Sequence, residues 1–521
     1  MESHLQSRVE CEMTRHTDIG HAQFAKYMRR KRVSRLKAAV KHFQVAMDQC
    51  PASHPDHAAA LTNLALARLV GYIRDDLQEI DTAISLFRDA LALRPQRHPD
   101  RPFSLYNLSV ALSWRHSKKC TAADIREAAQ LFHELLPLCP DGSYLRSLVA
   151  GENGVDYVIV ECNGLPRDAS DEGICLRRVV LELCPAGHQH RPRALDQLSN
   201  TLESRFRRSG NIDDLDECIQ FRREAVLLCP EGHTGRDLYL NNLAVSLGYY
   251  RFRHQGNPND LDEAISLHEE ALRLRPVGHD FRDTSLGNLG GDLVTRFDKR
   301  GARDDITRAI SLRREALTLC PPGHPRRVTT LHNLALALNA GYDELDVSED
   351  LDEAIDLYRE SLRFTELDHP ERHATLRNRE SLRFTELDHP ERHATLRNLS
   401  SALCSRFVDT RKNEDVEEAI DLCQKSLEAV SSLHPDRYFN YVSLQEAYLS
   451  RYRVQLNPSD LSLAVENFRL SSGHPTQGFP PRIIQAYNWT YVAEEHGHGS
   501  ALEAYTTFFE LLDAHLATRS S

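Results

Sequence analysis

The sequence of 521 residues predicts an all-α fold, an α-solenoid of about ten helical hairpins with a period near 45 residues. Three observations carry this reading: a recurring histidine, a leucine stripe at helical spacing, and an alanine stripe that ends at proline. His54, His98, His188, His233, His279, His324, His369, His389, His434 and His474 each open a similar segment, at separations of 44, 90, 45, 46, 45, 45, 20, 45 and 40 residues. The step of 90 holds two periods, because Cys139-Pro140-Asp141-Gly142 before Ser143 aligns with Cys320-Pro321-Pro322-Gly323 before His324. Such repetition signals stacked hairpins rather than the roughly three or four globular domains that length alone suggests.

In the unit that begins at His324, Pro325 suits the first turn of a helix. Leu331, Leu334 and Leu338 follow at i, i+3 and i+7, a single apolar stripe. The stripe recurs as Leu105/Leu108/Leu112, Leu195/Leu198/Leu202, Leu240/Leu243/Leu247, Leu286/Leu289/Leu293 and Leu396/Leu399/Leu403. A small residue follows the middle leucine (Ala65, Ser109, Ser199, Ala244, Gly290, Ala335, Ser400), which lets a partner helix approach closely. The second helix reads Asp-Leu-Asp-Glu-Ala-Ile, as in residues 260–265 and 350–355, and its leading Asp is expected to accept backbone N–H groups. Ala264, Ala309 and Ala354 are followed seven residues on by Ala271, Ala316 and Ser361, and Pro276 and Pro321 then end the helix. Each pair leaves an apolar face bare, so pairs must stack.

Leu-x2-Leu-small-x2-Leu followed by Ala-x6-small-x4-Pro resembles the tetratricopeptide pattern, which implies a right-handed superhelix. The departure is length, about 45 residues instead of about 34, with the surplus between helices and between units. HEAT and armadillo repeats share the longer period, but the alanine-to-proline spacing favours the tetratricopeptide. Units carrying Leu-Asp-Glu-Ala-Ile (351–355) and Cys-Pro-Pro-Gly-His-Pro (320–325) look like the helical arm of fungal tetratricopeptide proteins of the TPR–CHAT type, from about Leu36 to Leu516. That resemblance implies a caspase-like CHAT module after the helices. The sequence stops at Ser521, so no catalytic pair is carried over. The expectation is a non-catalytic protein-interaction scaffold. The alternative is the regulatory arm of a peptidase whose catalytic module is missing here.

The net charge of −12 argues against a nucleic-acid surface, and the expected partner is a protein or peptide. Self-association through uncapped solenoid ends is a further expectation. No run of 18 apolar residues occurs, so no membrane partner is expected. Met1 to Gly20 shows no signal core, which makes the expected location cytoplasmic. Lys26 to Arg35 is basic and reads either as a nuclear-localisation segment or as a solvated capping helix.

The chain divides into residues 1–50 (basic segment and partial repeat), 51–470 (solenoid) and 471–521 (aromatic-rich capping hairpin). Leu36 to Cys50 reads as a lone second helix. Residues 143–187 form a degenerate unit, with Gly151, Gly154, Gly164 and Pro166 breaking the pattern and Val155–Val160 readable as strand or buried helix. Residues 359–378 and 379–398 are identical copies, and the copy adds a short helix at 371–384 that extrusion would keep out of the stack. Tyr487, Trp489, Tyr491, Tyr505, Phe508 and Phe509 either fill the terminal core or await a further domain.

Little conventional chemistry is visible. The histidines sit one per loop, so no metal site and no cofactor is expected. Cys50, Cys139, Cys184, Cys229 and Cys320 each precede a proline and read as small buried side chains. The best candidates are two series. Asn63, Asn107, Asn242, Asn288, Asn333 and Asn398 share one first-helix position beside the leucine stripe. Asn offers both a donor and an acceptor to the backbone of an extended peptide in the concave groove. The similarity to kinesin-light-chain-type repeats, which also carry Asn-Leu-Ala here, implies the same role; the other reading is an inter-helix hydrogen bond. Arg115, Arg205, Arg251, Arg296, Arg406 and Arg451 sit near first-helix ends, where a cation suits the helix dipole. If Arg205, Arg251, Arg296 and Arg406 instead reach the groove, they favour acidic peptides.

Overall fold

A helix with one apolar stripe and one wet face must bury the stripe against another helix. The computed structural model describes residues 2–75, 80–140, 142–345, 347–364 and 392–520. They form two compact units, Met1–Arg251 and Phe252–Ser521, with no strand among the described residues. The first contains α1 (Glu2–Arg30), α2 (Val33–Asp48), α3 (His57–Asp75), α4 (Ile80–Ala92), α5 (Arg101–Lys119), α6 (Ala122–Leu135), α7 (Tyr144–Val149), α8 (Val155–Gly164), α9 (Asp171–Glu182), α10 (Arg191–Ser209), α11 (Ile212–Leu228) and α12 (Arg236–Val245). The second contains α13 (Phe252–Gln255), α14 (Pro258–Arg273), α15 (Arg282–Arg300), α16 (Arg303–Thr318), α17 (Arg327–Leu345), α18 (Ser348–Phe364), α19 (Arg392–Thr410), α20 (Asn413–Glu428), α21 (Asp436–Gln455), α22 (Pro458–Ser472), α23 (Phe479–Glu495) and α24 (Ala501–Ser520).

Each unit is a stack of helical hairpins sharing a continuous interior. In the second unit one core runs from Phe252 through Leu289, Leu334, Leu399 and Leu444 to Trp489 and Ala504. In the first, a core from Ala65 to Ala194 is flanked by smaller clusters around Phe43 and Leu198. The leucine stripes and the small residues beside them are buried throughout.

Local chemistry fixes the helix ends. First helices α10 and α15 close on Gly210 (φ 70°) and Gly301 (φ 65°), whose N–H groups donate back to Phe206 and Phe297 carbonyls at 2.7 Å. These are left-handed caps that cost glycine nothing. Between hairpins, Nδ1 of His188, His233, His279 and His324 accepts the backbone N–H two residues on, which shapes the entry to the next helix. Arg191, at the start of α10, donates to the Cys184 carbonyl and to Glu224, each at 2.7 Å, closing the preceding helix and gripping the next. Arg101, Arg282 and Arg327 repeat this contact. The one extra residue in the 46-residue step from His233 falls where Ser246–Arg251 winds as a π-helical turn.

Two expectations change and two open alternatives are resolved. Residues 36–50 are not a lone second helix: α1 packs against α2 as its first helix. Its stripe is Met13, Gly20 and Tyr27 rather than leucines, and a Cβ on Gly20 would strike the Phe43 ring at 2.6 Å. The leading Asp of second helices takes an arginine, as Asp214 and Asp460 do, and the cap is made three residues earlier, by Asn211, Asn257 and Asn457. Val155–Val160 is helical, and the degenerate unit has its first helix split into α7 and α8 at Gly154, where a Cβ would lie 2.1 Å from the Val149 carbonyl. The terminal aromatics divide: Trp489 is buried and donates to Ser500 Oγ, whereas Tyr487, Tyr491 and Phe509 are exposed. The added helix expected at 371–384 lies outside the described residues.

Leu289 is wholly buried in the core of the second unit, so Leu289→Ala is expected to cost about 2–5 kcal/mol. Leu227→Ala, at a site 81% exposed, should stay within about 0.5 kcal/mol of wild type in the same urea titration.

Candidate functional site

The arginine series lies at the turn between the two helices of a hairpin. Arg296 Nε and Nη2 donate to Asp305 Oδ2 and Oδ1 at 2.8 and 2.7 Å, and its Nη1 donates to Asp262 of the preceding second helix at 3.2 Å. Arg115, Arg205, Arg406 and Arg451 make the same fork with Asp124, Asp214, Asp415 and Asp460, and the same third bond to Asp81, Asp171, Asp352 and Glu417. Arg251 holds the equivalent position at the end of its π-helical turn. The forked aspartates are nearly sealed from water. The hydrogen bonds of Asp214 and Asp305 hold Arg205 and Arg296 above their ordinary values. An acidic peptide reaching these arginines would have to displace a buried carboxylate.

All six residues of the asparagine series are half-buried, and two of them reach the preceding first helix. Asn242 Nδ2 donates to Asp196 Oδ1 of the preceding first helix at 2.9 Å, and Asn398 lies 3.5 Å from His332 Nε2. Asn63, Asn107 and Asn333 make no side-chain hydrogen bond among the described residues, and their amides keep contact with solvent.

A third series escaped the sequence reading. One position of the second helix holds Phe87, Phe132, Arg177, Arg222, His268, Arg313, Tyr358, Cys423 and Phe468, all buried. Aromatic residues stand at both ends and polar ones in the middle. Arg177 donates to the Cys162 and Leu165 carbonyls, at 2.5 and 2.9 Å. His268 sits 3.5 Å from Asp292, and burial pushes the histidine down to about 3 and the carboxyl up to about 7, so both favour their neutral forms. His332, beside Tyr358, shares a hydrogen bond of 2.9 Å with Thr395 Oγ1 and is driven down to about 4 by burial and by Arg313 and Arg397. The signal was available: the 45-residue register places these residues in one column, but a stripe search counts only the apolar ones.

Among the described residues, groups able to ligate a metal converge twice, contrary to the expectation from the loop histidines. Asp283, Cys320 and His324 lie together, as do His393, His434 and Asp436. Asp283, His393 and Asp436 stand at the starts of first helices, outside the series of loop histidines. In the first group Arg326 already binds Asp283; in the second His393 Nε2 is 2.5 Å from Asp436, and His434 Nδ1 accepts the Asp436 N–H. Asp283–Arg326 and His393–Asp436 are equivalent pairs with charge exchanged, each 43 residues apart. The twelve cysteines are free, and burial pushes Cys184 up to about 12.

Removing one partner of a fork leaves a buried charge. Arg296→Leu is expected to cost about 2–4 kcal/mol in urea unfolding, and adding Asp305→Leu should recover more than half of that. His332 has a folded pKa below its unfolded value, so the unfolded chain takes up the proton first and stability is lost as pH falls from 6.5 toward 4. His332→Gln should therefore lose about 1–2 kcal/mol less than wild type between pH 7 and pH 5.

No family model and no curated protein matches the chain. Among solved structures, a monomeric mutant of IFIT1 with Gppp-AAAA is similar at 15% identity and a TM-score of 0.37, covering 92% of this chain and 89% of that one. The human IFIT1 dimer with m7Gppp-AAAA is similar at 14% and 0.35, covering 96% and 89%. The likeness goes no further than the helical-repeat fold. A tie to TPR–CHAT proteins gains no support from any of these. No helix among the described residues is long and apolar enough to cross a membrane. The expectation of no nucleic-acid partner is corrected: the IFIT1 structures found similar are solved with Gppp-AAAA and m7Gppp-AAAA. Net charge averages a whole surface and does not describe one face of a stack.

Proposed function

We propose that the chain is a non-catalytic binding scaffold in which the first helices of each unit, taken by itself, hold an extended peptide through their share of the asparagine series. The observation that carries this reading is the free amides of Asn63, Asn107 and Asn333, half-buried at one repeat position and without an intramolecular side-chain partner among the described residues. A half-buried amide that its own chain leaves unbonded is matched by the N–H and C=O of an extended backbone. The remaining polar groups favour binding over catalysis. The buried His268–Asp292 pair is sealed, the cysteines at helix ends are buried with thiols pushed up, and the arginine forks are spent on carboxylates.

The test separates binding from stability. The triple variant Asn63→Ala, Asn107→Ala, Asn333→Ala should unfold within about 0.5 kcal/mol of wild type, because no internal bond is lost. Its binding to a panel of immobilised unstructured peptides should fall by about tenfold or more. Asn242→Ala should do the reverse in part, losing stability with its bond to Asp196. Peptide binding untouched by the triple substitution would end the proposal.

A further inference from the structure

Arg222 and Arg313 occupy the same second-helix position, two periods apart, and their surroundings differ in what neutralises them. Arg222 lies 2.7 Å from the Glu203 carboxylate, donates to Asn200 Oδ1 at 2.8 Å and to the Asn242 carbonyl at 2.9 Å, and meets Ser246 Oγ. The same offsets counted from Arg313 give Gly291 for Asn200, Val294 for Glu203 and Ala337 for Ser246. Only the backbone contact is kept, with the Asn333 carbonyl. Arg313 is 5% exposed, has no ion-pair partner among the described residues, and its Nε bonds to nothing. Burial pulls Arg313 down to about 10, whereas the groups around Arg222, among them Glu203 and Asp196, hold it above its ordinary value against the same burial.

No acid of the neighbourhood pairs with it among the described residues. Arg313 and Arg397 both act on His332 and Tyr358, and among the described residues the Tyr358 hydroxyl and Arg397 Nη1 are buried without hydrogen bonds. Asp298 exerts some field on Arg313 but forms no ion pair with it. An unpaired buried guanidinium is costly, so a chain that keeps one gains from a group brought in from outside.

A way in exists. Gly287 and Gly291 stand one turn apart on α15, both half-buried. A Cβ on Gly287 would meet nothing within 4 Å, and one on Gly291 would meet only Arg313 Nη2, at 3.6 Å. On the other side, Gly290 is packed tightly against the arginine stem, with a Cβ there only 3.0 Å from Arg313 Cγ, which holds the head group toward the gap. We infer that Arg313, reached through the gap over Gly287 and Gly291, is a subsite for the carboxylate of an acidic side chain in a bound peptide. The first unit shows which chemistry the position accepts, because there Glu203 and Asn200 of the same chain fill it. The peptide as ligand rests on the proposed function; the carboxylate preference of the site does not.

Two arms test this with the full-length chain. Gly291→Asp places a carboxylate in the gap from within, and Gly291→Ala restores the helix without it. The Asp variant should melt about 2 °C above the Ala variant at pH 7, although Asp is the poorer helix former. An Asp variant that melts at or below the Ala variant overturns the site, whatever the ligand. In the second arm the probe is a fluorescein-labelled peptide of four Glu-Gly repeats, followed by anisotropy at low salt, with a Gln-Gly peptide as its neutral counterpart. Wild type should bind the glutamate peptide about tenfold tighter than the glutamine peptide, and Gly291→Asp and Arg313→Met should each remove that preference. Equal binding of the two peptides, or a preference that survives both substitutions, overturns the peptide assignment. So does a 5′-phosphorylated oligouridylate that binds through Arg313 where the glutamate peptide does not. If the asparagine triple variant keeps its peptides, the proposed function falls while the first arm still decides the fate of Arg313.

Discussion

The fork between the last turn of one helix and the first turn of the next is the contact on which the stack depends. A carboxylate as buried as Asp460 or Asp214 is tolerated only with a partner that satisfies both oxygens, and arginine alone presents two parallel donors in fixed geometry. The third donor reaches the preceding hairpin, as Arg205 reaches Asp171, so one guanidinium fixes both the angle within a hairpin and the register between hairpins. Leucine stripes supply most of the burial energy, but they are nearly alike from unit to unit and tolerate sliding. The fork does not, because a shift of one residue strands a buried charge.

This division explains what could be read from the residues alone. Apolar spacing is a property of one helix, so the hairpins, their stripes and the small residues beside them were legible. Partner choice is a property of two or three helices. Aspartates at second-helix starts looked like caps because acids at helix starts usually are. Asn211 and Asn457 already do that work for α11 and α22, which leaves Asp214 and Asp460 free to turn inward. In the same way α1 was hidden because Met13, Gly20 and Tyr27 replace leucine, and only the Phe43 ring reveals why a glycine stands among them.

The candidate sites were legible to different depths. The asparagine column was visible, and the structure sorts it by partner: Asn242 is bonded across the seam, Asn63 and Asn333 are not. The column from Arg177 to Tyr358 went unseen because buried polar residues interrupt no apolar stripe; they simply fail to belong to one. Its members matter through their neighbours. Arg177 is served by carbonyls, Arg222 by a glutamate and His268 by an aspartate, while Arg313 keeps one carbonyl and has glycine, valine and alanine where Arg222 has Asn200, Glu203 and Ser246. Three losses around one retained charge are hard to reconcile with a position that matters only for packing. Replacement by a residue such as Phe132 or Phe468, which the fold already accepts at this place, would cost less.

The repeated stretch at 359–398 shows how firmly the fork sets register. Twenty extra residues separate α18 from α19, yet the contacts between these helices keep their form once twenty is added. Arg406 binds Asp352 across 54 residues where Arg205 binds Asp171 across 34. Arg359 binds Glu418 across 59 where Arg178 binds Glu217 across 39. The buried column behaves alike, passing from Tyr358 to Cys423 without losing its place. Lengthening a connection costs entropy that grows only logarithmically, whereas displacing one hairpin would strand Asp415 and open the core around Phe407. The second term is larger by several kcal/mol, so the flanking hairpins pack on one another as neighbours and the insertion leaves the stack's order intact.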